Sequence, residues 1–288
     1  MRGEASGVRH EKKAGLEKGS SCLMPSPSPP LLSRRTFLSG AALGTLCACS
    51  QGLSSVAPEV MSPADEIKLG RAAWQDLLKK EPRSDNTDAM NAIEKIGRQC
   101  AVAARMNPAG WQFALFKGKE INAFALPGGH VGVYEGILPV MQDANGMATV
   151  LGHEISHVAL RHAAKRASTQ VATNVLLQVT QFGLALGGVQ GGDAIAGALG
   201  TGASLGILLP FSRNHEYEAD ALGLRVMAAA GYDPRAAVPF WQRMQAANKG
   251  KTQPEYFSTH PGGGNRIAAL EALMPEAVAI YERRRGKA

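Results

Sequence analysis

Two histidines four residues apart, His153 and His157, with Glu154 directly after the first, have the residue types and spacing of a hydrolytic metal site. On a helix with about 3.6 residues per turn, both imidazoles project from one face and can offer nitrogen ligands to one tetrahedral zinc ion. Glu154 lies about 100° further round the helix, where its carboxylate can reach a water on the metal without being a ligand. The pattern predicts one Zn2+ per chain and hydrolysis by metal-activated water, with Glu154 as general base.

The residues around this motif separate two interpretations. Two surface histidines and a solvated glutamate on an amphipathic helix would give the same pattern. The apolar neighbours instead indicate a helix that is buried on most sides: Val150, Leu151, Ile155 and Val158. Because unpaired histidines and a glutamate are costly inside a protein, the buried helix favours the metal site.

A third ligand must come from another segment, because a catalytic zinc has three protein ligands and one open position. A predicted helix after Ser212 carries Glu216 and Asp220, which are four residues apart and share a face. One carboxylate can bind the metal while the other accepts a hydrogen bond from a ligand histidine and fixes its tautomer. On chemistry alone, His215 could replace Glu216. Glu218 points elsewhere and fits a solvated or salt-bridged role.

The order H-E-x-x-H and then E-x-x-A-D resembles the HtpX and CAAX-prenyl-protease family of zinc metalloendopeptidases, especially its soluble periplasmic members of the BepA type. The resemblance runs from about residue 60 to 275 and rests on four blocks: Asn122 to His130, the zinc helix, Ser212 to Asp220, and Ser258 to Pro261 with Arg266. It implies an α+β, mostly helical, zincin-like (gluzincin) fold with a small three-stranded sheet beside the zinc helix. It also selects Glu216 over His215 as third ligand and assigns Asp220 to a position behind the ligands.

The same resemblance implies a role for Asn122, Ala123 and Phe124. In gluzincin proteases an Asn-Ala pair on the edge strand above the zinc binds the substrate backbone, since an exposed edge accepts an extended peptide as a further strand. An ordinary strand and turn is the alternative for this block. His130 is expected to be a turn or strand residue rather than a ligand.

His260 and Arg266 flank a glycine run at 262–264 that gives His260 freedom to move. His260 could swing to the open zinc position or, with Arg266, stabilise the oxyanion of the tetrahedral intermediate. Our hypothesis is that His260 binds zinc in a resting, self-inhibited state and leaves when substrate enters. A helix-capping histidine before a proline is the alternative.

The first 48 residues have the pattern of an export leader. Residues 33–38, S-R-R-T-F-L, resemble the bacterial twin-arginine signal, and residues 46–49, L-C-A-C, resemble a lipobox in which Cys49 is lipidated. An uncleaved membrane anchor, or ordinary cleavage after Ala48, is the alternative, and a start at Met24 would also serve. We expect a leader at 1–48, a linker at 49–60 and a single zinc metallopeptidase domain at 61–288.

Removal of the leader changes what the net charge of +7 implies. Residues 1–48 hold seven Lys or Arg and three Asp or Glu, so the rest of the chain carries a formal charge of +3. A nucleic-acid partner is then not needed to explain a basic chain, and none is expected. Cys100 would be the one cysteine left in the folded body, as a small buried side chain.

Hydrophobic periodicity and turn residues predict the elements that must position these side chains. We expect helices at 63–80, 86–105, from 143, at 212–230, from 233 and at 276–285, and strands at 111–116, 121–126 and 131–134. The Gly/Ala-rich tract at 171–209 has two interpretations, a membrane hairpin or a pair of soluble helices. Its polar residues and glycines favour the soluble helices.

Through the resemblance, the chain is expected to be an endopeptidase that cleaves misfolded or stalled proteins of the bacterial cell envelope. The expected location is the periplasm, with a lipid anchor in the outer membrane. The alternatives are a chaperone-like envelope assembly factor that cuts rarely, and a membrane-embedded protease of the same family.

Overall fold

The computed structural model describes residues 61–170, 210–248, 254–262 and 265–286. All of these residues belong to one compact unit, Ser50–Ala288. The expected leader, the lipidation site Cys49, the linker and the 171–209 tract lie outside the described residues. The predictions for those segments stay predictions.

Most of the described residues are helical. The longer helices are α1 (Pro63–Lys80), α2 (Thr87–Ala103), α3 (Ala144–Ala159), α4 (helical over 162–170), α5 (Arg213–Ala230), α6 (Ala237–Asn248) and α7 (Arg266–Arg285). Short helical turns lie at Pro108–Gly110, Glu135–Ile137, Leu138–Met141, Pro234–Ala236 and Tyr256–Thr259. Within the described ranges, no helix combines the length and the apolar character that a membrane crossing requires.

Polar side chains begin four helices at the positions that the sequence indicated. Ser62, Asn86, Asp143 and Ser212 each accept a hydrogen bond from a backbone N–H of the first turn. Each cap satisfies a donor that has no partner inside the helix. Gly231 ends α5 with a φ of 98°, a left-handed conformation that glycine adopts without strain.

Three short strands form one sheet in the order β1–β3–β2. Strand β1 is Gln112–Phe116, β2 is Ala123–Leu126 and β3 is His130–Tyr134. Strand β3 lies in the middle, parallel to β1 and antiparallel to β2. The three predicted strands are confirmed, and β2 is an edge strand that packs against α3. His130 is the first residue of β3, as the strand interpretation predicted.

Helix α3 lies at the centre of the packing and contacts α2, α5 and β2. Its closest approach to α5 is at Gly152 and Gly223, where a Cβ added to Gly223 would lie 3.0 Å from the backbone N of His153. An added Cβ would be crowded at this distance, so side chains here would keep the two backbones further apart. The two glycines therefore bring the helix with the H-E-x-x-H motif directly against the helix that carries Glu216.

The C-terminal helix is longer than predicted. Helix α7 begins at Arg266 rather than at 276, and Pro275 lies inside it. Because a proline lacks the backbone donor and usually ends a helix, the sequence pattern favours a start after Pro275. The longer helix matters for the site, since its first residue is buried and contacts α5 residues.

Candidate metal centre

Helix α3 turns both motif histidines toward one buried point. The Nε2 atoms of His153 and His157 lie 3.0 Å apart, and both side chains are buried. The arrangement follows from the helix itself, because residues four apart lie about one turn above each other on one face. Glu154, the residue that follows His153, is also buried.

Helix α5 brings Glu216 to the same point. Its Oε2 lies 3.5 Å from Nε2 of His153, and its Oε1 lies 3.4 Å from Nε2 of His157. His215 points elsewhere, since its ring stacks on His162 with the centroids 4.5 Å apart. Of the two ligands that chemistry alone left open, the structure brings Glu216 and not His215 to the motif histidines.

His260 closes the cluster from the segment before α7. Its Nδ1 lies 3.1 Å from Oε1 of Glu216 and 3.4 Å from Nε2 of His153, and its Nε2 lies 3.5 Å from Oε1 of Glu154. Its backbone N–H also ends the short helix Tyr256–Thr259. The capping interpretation thus describes the backbone of His260, while its ring belongs to the cluster.

The four residues could together hold a metal ion. One donor atom from each of His153, His157, Glu216 and His260 can be chosen so that all lie within 4.8 Å of one another. Ligands about 2.0–2.1 Å from a tetrahedral zinc ion would lie about 3.3–3.4 Å apart. Five contacts between donor atoms of the cluster measure 3.0 to 3.5 Å. Both these distances and the set of three imidazoles and one carboxylate fit such an ion.

Asp220 supports the cluster from behind. Its Oδ1 lies 2.9 Å from Nδ1 of His153, on the side of the ring that faces away from the other donors. Nε and Nη2 of Arg266 donate to the two carboxylate oxygens of Asp220 at 2.6 and 2.7 Å. The contact with His153 is the one expected of a carboxylate that fixes a tautomer.

The guanidinium of Arg266 lies behind the cluster, against its carboxylates. Besides Asp220, its guanidinium contacts Oε2 of Glu216 at 3.0 Å and the ring of His153, and it lies 3.5 Å over the ring of Trp241. Arg266 is buried and does not line the cleft in front of Glu154. Its donors are directed at the carboxylates behind the cluster, which favours a positioning role, and the catalytic role of Arg266 stays a prediction.

Glu154 has a partner that the sequence did not predict. The hydroxyl of Tyr256 donates to Oε1 of Glu154 at 2.9 Å, and its ring stacks on His260 with the centroids 4.3 Å apart. Burial and the neighbouring Glu154 raise the pKa of Tyr256 well above its usual value, so the hydroxyl keeps its proton. Tyr256 lies four residues before His260, one helical turn, which indicates that the two rings meet but not that the hydroxyl reaches Glu154.

His157 also has a neighbour that the sequence did not predict. Nδ1 of His157 lies 2.9 Å from Nδ1 of His162, and Nε2 of His162 lies 3.0 Å from Oε2 of Glu218. Burial lowers the pKa of His162 to about 4, so the ring is neutral at neutral pH. Glu218 is half-exposed and also lies 3.8 Å from Nζ of Lys165, which agrees with the predicted salt-bridged role.

Burial and neighbouring charges shift the pKa values of the possible ligands in different directions. Burial would lower the pKa of His153, but its contacts with Asp220 and Glu216 raise it to about 9. Burial keeps the pKa of His157 well below its usual value. Burial would raise the pKa of Glu216, but the adjacent histidines, His260 first, hold it far below its usual value. The cluster thus offers an ionised carboxylate and a neutral His157, while His153 must lose a proton to bind a metal.

A cleft of about 340 Å³ opens in front of Glu154 and His260. Strand β2 and α1 line it, with mostly apolar side chains that include Leu77, Phe124, Leu126, Tyr134 and Phe211. Asn122 also lines the cleft, and its buried Oδ1 has no hydrogen-bond partner among the described residues. The side chain of Ala123 is buried in the core, so only its backbone can face a peptide.

The fold and the site define a class of protein. A mostly helical α+β fold with a small sheet beside the motif helix, and a buried His/His/Glu/His cluster on it, is the arrangement of a gluzincin-type metallopeptidase. Residues 88–274 match the model of the family described as Peptidase family M48. The chain belongs to this family, and the predicted resemblance to zinc metalloendopeptidases of the BepA type is confirmed at the level of the family.

Its curated relatives include metalloendopeptidases of mitochondria and a bacterial protease. The chain is 35% identical to the mitochondrial metalloendopeptidase OMA1 of Schizosaccharomyces pombe over 187 residues, 64% of this chain and 53% of the relative. It is 35% identical to the human mitochondrial OMA1 over 236 residues, 75% of this chain and 43% of the relative. It is 28% identical to the beta-barrel assembly-enhancing protease of Escherichia coli over 220 residues, 75% of this chain and 45% of the relative. The chain spans about half the length of these relatives.

Proposed function

We propose that this chain is a zinc-dependent endopeptidase of the bacterial cell envelope that hydrolyses peptide bonds of misfolded or stalled envelope proteins. The observation that carries the proposal is the meeting of His153, His157 and Glu216 at one buried point with Glu154 beside it. Two histidines and a glutamate around one zinc, with a second glutamate in reach, is a donor set that peptide hydrolysis uses. Membership of a family of metalloendopeptidases supports the same reaction.

In the proposed reaction, His153, His157 and Glu216 hold one zinc ion per chain. When bound, zinc polarises the substrate carbonyl and lowers the pKa of a water molecule. Glu154 accepts a proton from that water at its carboxylate and then donates it to the leaving amine. The hydrogen bond from Tyr256 keeps the carboxylate of Glu154 in one orientation.

Strand β2 is the proposed binding edge for the substrate. Asn122 and Phe124 line the cleft that also contains Glu154 and His260, so a peptide added along β2 would pass in front of the general base. The apolar lining of the cleft suits the exposed apolar side chains of a misfolded protein. Backbone pairing with β2 would make binding depend little on the substrate sequence.

We also propose that His260 is a fourth zinc ligand in a resting state and that it leaves when a substrate enters. The support is the 3.1 Å separation between its Nδ1 and Glu216, which fills the position that a hydrolytic site leaves open for water. Replacement of His260 by alanine should raise the cleavage rate and change the visible absorption of cobalt-substituted protein. Wild-type activity together with an unchanged cobalt spectrum would refute this role.

The leader supports an envelope location. The twin-arginine-type signal at 33–38 and the lipobox that ends at Cys49 suit an exported protein with a lipid anchor in the outer membrane. The name of the Escherichia coli relative refers to beta-barrel assembly, which agrees with envelope proteins as substrates. The variant Cys49→Ser should move the protein from the membrane fraction to the soluble periplasmic fraction. Wild-type protein without an acyl group, or retained in the cytoplasm, would contradict the location.

Zinc content and cleavage of unfolded casein, measured on purified wild type and Glu154→Gln, test the function. We expect one zinc per chain in both proteins and a loss of cleavage of about 10²–10⁴-fold in Glu154→Gln. Glu276→Gln, which changes a glutamate in the surface ion pair with Arg225, is the matched control and should cleave normally. Retained cleavage in zinc-loaded Glu154→Gln would contradict the mechanism. Equal rescue of an envelope assembly defect by Glu154→Gln and wild type would instead support the chaperone-like role.

A further inference from the structure

A line of hydrogen bonds leads from His157 toward the surface of the protein. Nδ1 of His157, on the side of the ring away from the cluster, lies 2.9 Å from Nδ1 of His162. Nε2 of His162 lies 3.0 Å from Oε2 of Glu218, whose side chain is 52% exposed. Neither His162 nor Glu218 has a part in the reaction proposed above.

When Nε2 of His157 binds a metal, one arrangement of protons satisfies these contacts. The ring proton of His157 then lies on Nδ1 and is donated to Nδ1 of His162, 2.9 Å away. The proton of His162 must then lie on its Nε2 and be donated to Glu218. An ionised carboxylate accepts only, so the line has one direction and ends at Glu218.

A tight turn between α3 and α4 brings His162 into contact with His157. Arg161 adopts a φ of 55°, which is uncommon for a residue with a side chain. The chain reverses direction at this residue. The ring of the next residue, His162, lies edge-on to His157 with the centroids 4.9 Å apart. His162 is fully buried there. The strained turn and the buried polar ring both lower the stability of the fold. A role for the contact in the site would explain why the protein has them.

We propose that His162 and Glu218 are positioning residues that hold His157 in the tautomer and orientation in which its Nε2 can bind the metal. They do for His157 what Asp220 does for His153. This inference rests on the proposed metal site. The two supports differ, because the buried Asp220 contacts its histidine directly, whereas Glu218 acts through one further ring and is half-exposed.

The difference predicts an order of effects on zinc affinity. His162→Phe keeps an aromatic ring but leaves the Nδ1–H of His157 without an acceptor, so the zinc dissociation constant should rise about 10–100-fold. His162→Asn offers an amide oxygen near the former Nδ1 and should restore most of the affinity. Glu218→Ala should raise the dissociation constant by only about 2–5-fold, because water can replace an exposed carboxylate.

The experiment uses the full-length protein and two measurements that do not depend on cleavage. Zinc affinity is measured by competition with a chromophoric chelator, and ligand geometry by the visible absorption of the cobalt-substituted protein. Glu276→Ala is the control for Glu218→Ala, since its carboxylate has the same 52% exposure and lies in a surface ion pair. We expect a changed cobalt spectrum for His162→Phe and a spectrum close to wild type for His162→Asn.

Each outcome decides the proposal. His162→Phe with wild-type zinc affinity and cobalt spectrum would overturn it and leave the proposed protease function intact. A wild-type protein that binds no zinc would overturn both. If His162→Phe does not fold, as judged by circular dichroism, the other two variants decide. The proposal would then be refuted if His162→Asn bound zinc as weakly as Asp220→Ala, which removes the direct partner of His153. It would also be refuted if Glu218→Ala had the same zinc affinity as Glu276→Ala.

Discussion

The hydroxyl of Tyr256 donates a hydrogen bond of 2.9 Å to Oε1 of Glu154, while the ring of the same tyrosine stacks on His260. One buried side chain thus contacts both the proposed general base and the proposed fourth ligand. A hydrogen bond to a charged group contributes about 1.5–3 kcal/mol, which is enough to hold the carboxylate in one orientation.

Tyr256→Phe should lower kcat/KM for an unfolded substrate by about 10–100-fold, because Glu154 loses its oriented donor. Zinc affinity should change by less than about threefold, since the ring that packs on His260 remains. Steady-state cleavage of a fluorogenic peptide and zinc titration measure the two effects. The control is Tyr232→Phe, which removes a hydroxyl that contacts Gln99 instead of Glu154. Equal activities of the two variants would show that the hydroxyl of Tyr256 has no special role.

Arg266→Met should destabilise the protein and weaken zinc binding. The buried guanidinium pairs with Asp220 and Glu216, and loss of one partner of a buried ion pair costs about 3–5 kcal/mol. Arg225→Met, which removes a half-exposed ion pair, should cost about 0–1 kcal/mol. Urea unfolding and chelator competition measure the changes. A variant with normal stability and zinc affinity but a reduced kcat would instead support the oxyanion role for Arg266.

The parts of the site that depend on neighbours along the chain could be predicted from the sequence. The helix that presents His153 and His157, its cap at Asp143, and the carboxylates one turn apart on α5 follow from periodicity and capping rules. Tyr256 and His162 could not be predicted, because a single tyrosine or histidine has no preferred partner until the helices pack.

The contacts of Arg266 also could not be predicted from the sequence. Its place near the site followed from the resemblance, but the direction of its guanidinium depends on two tertiary facts. One is that α7 begins at Arg266 and the other is that Trp241 of α6 covers one face of the guanidinium. Neither fact can be predicted from the local sequence. Pro275 argues against the longer helix, and the contact with Trp241 forms only when the helices pack.

Gly223→Ala should reduce both stability and zinc affinity. The added Cβ would lie 3.0 Å from the backbone N of His153 and 3.1 Å from the carbonyl carbon of Gly152, so α3 and α5 must separate. Overpacking of this kind costs about 1–3 kcal/mol, and it moves His153 relative to Glu216. Gly110→Ala is the control, because an added Cβ there has no neighbour within 4 Å. Unfolding curves and zinc affinities that are equal for the two variants would contradict the prediction.

Zinc affinity should rise with pH because His153 holds a proton in the metal-free protein. Burial would lower the pKa of His153, but Asp220 and Glu216 raise it to about 9. A metal must displace that proton, so this residue makes the apparent affinity rise about tenfold per pH unit up to about pH 9 and then level off. Chelator competition between about pH 7 and 10 measures the slope. Asp220→Asn should move the plateau to lower pH, because it removes the first of the contacts that raise the pKa.

The stability of the metal-free protein should change with pH in the opposite direction. A histidine whose pKa rises from 6.5 to about 9 on folding contributes stability that is fully present below pH 6.5 and is lost as the pH approaches 9. The zinc-loaded protein no longer carries this proton and should not show the loss. Urea unfolding at pH 7 and pH 9, with and without a chelator, separates the two forms. If the free energy of unfolding of the metal-free protein stays constant over this range, the pKa of His153 is not raised, and the rise of zinc affinity with pH must then also disappear.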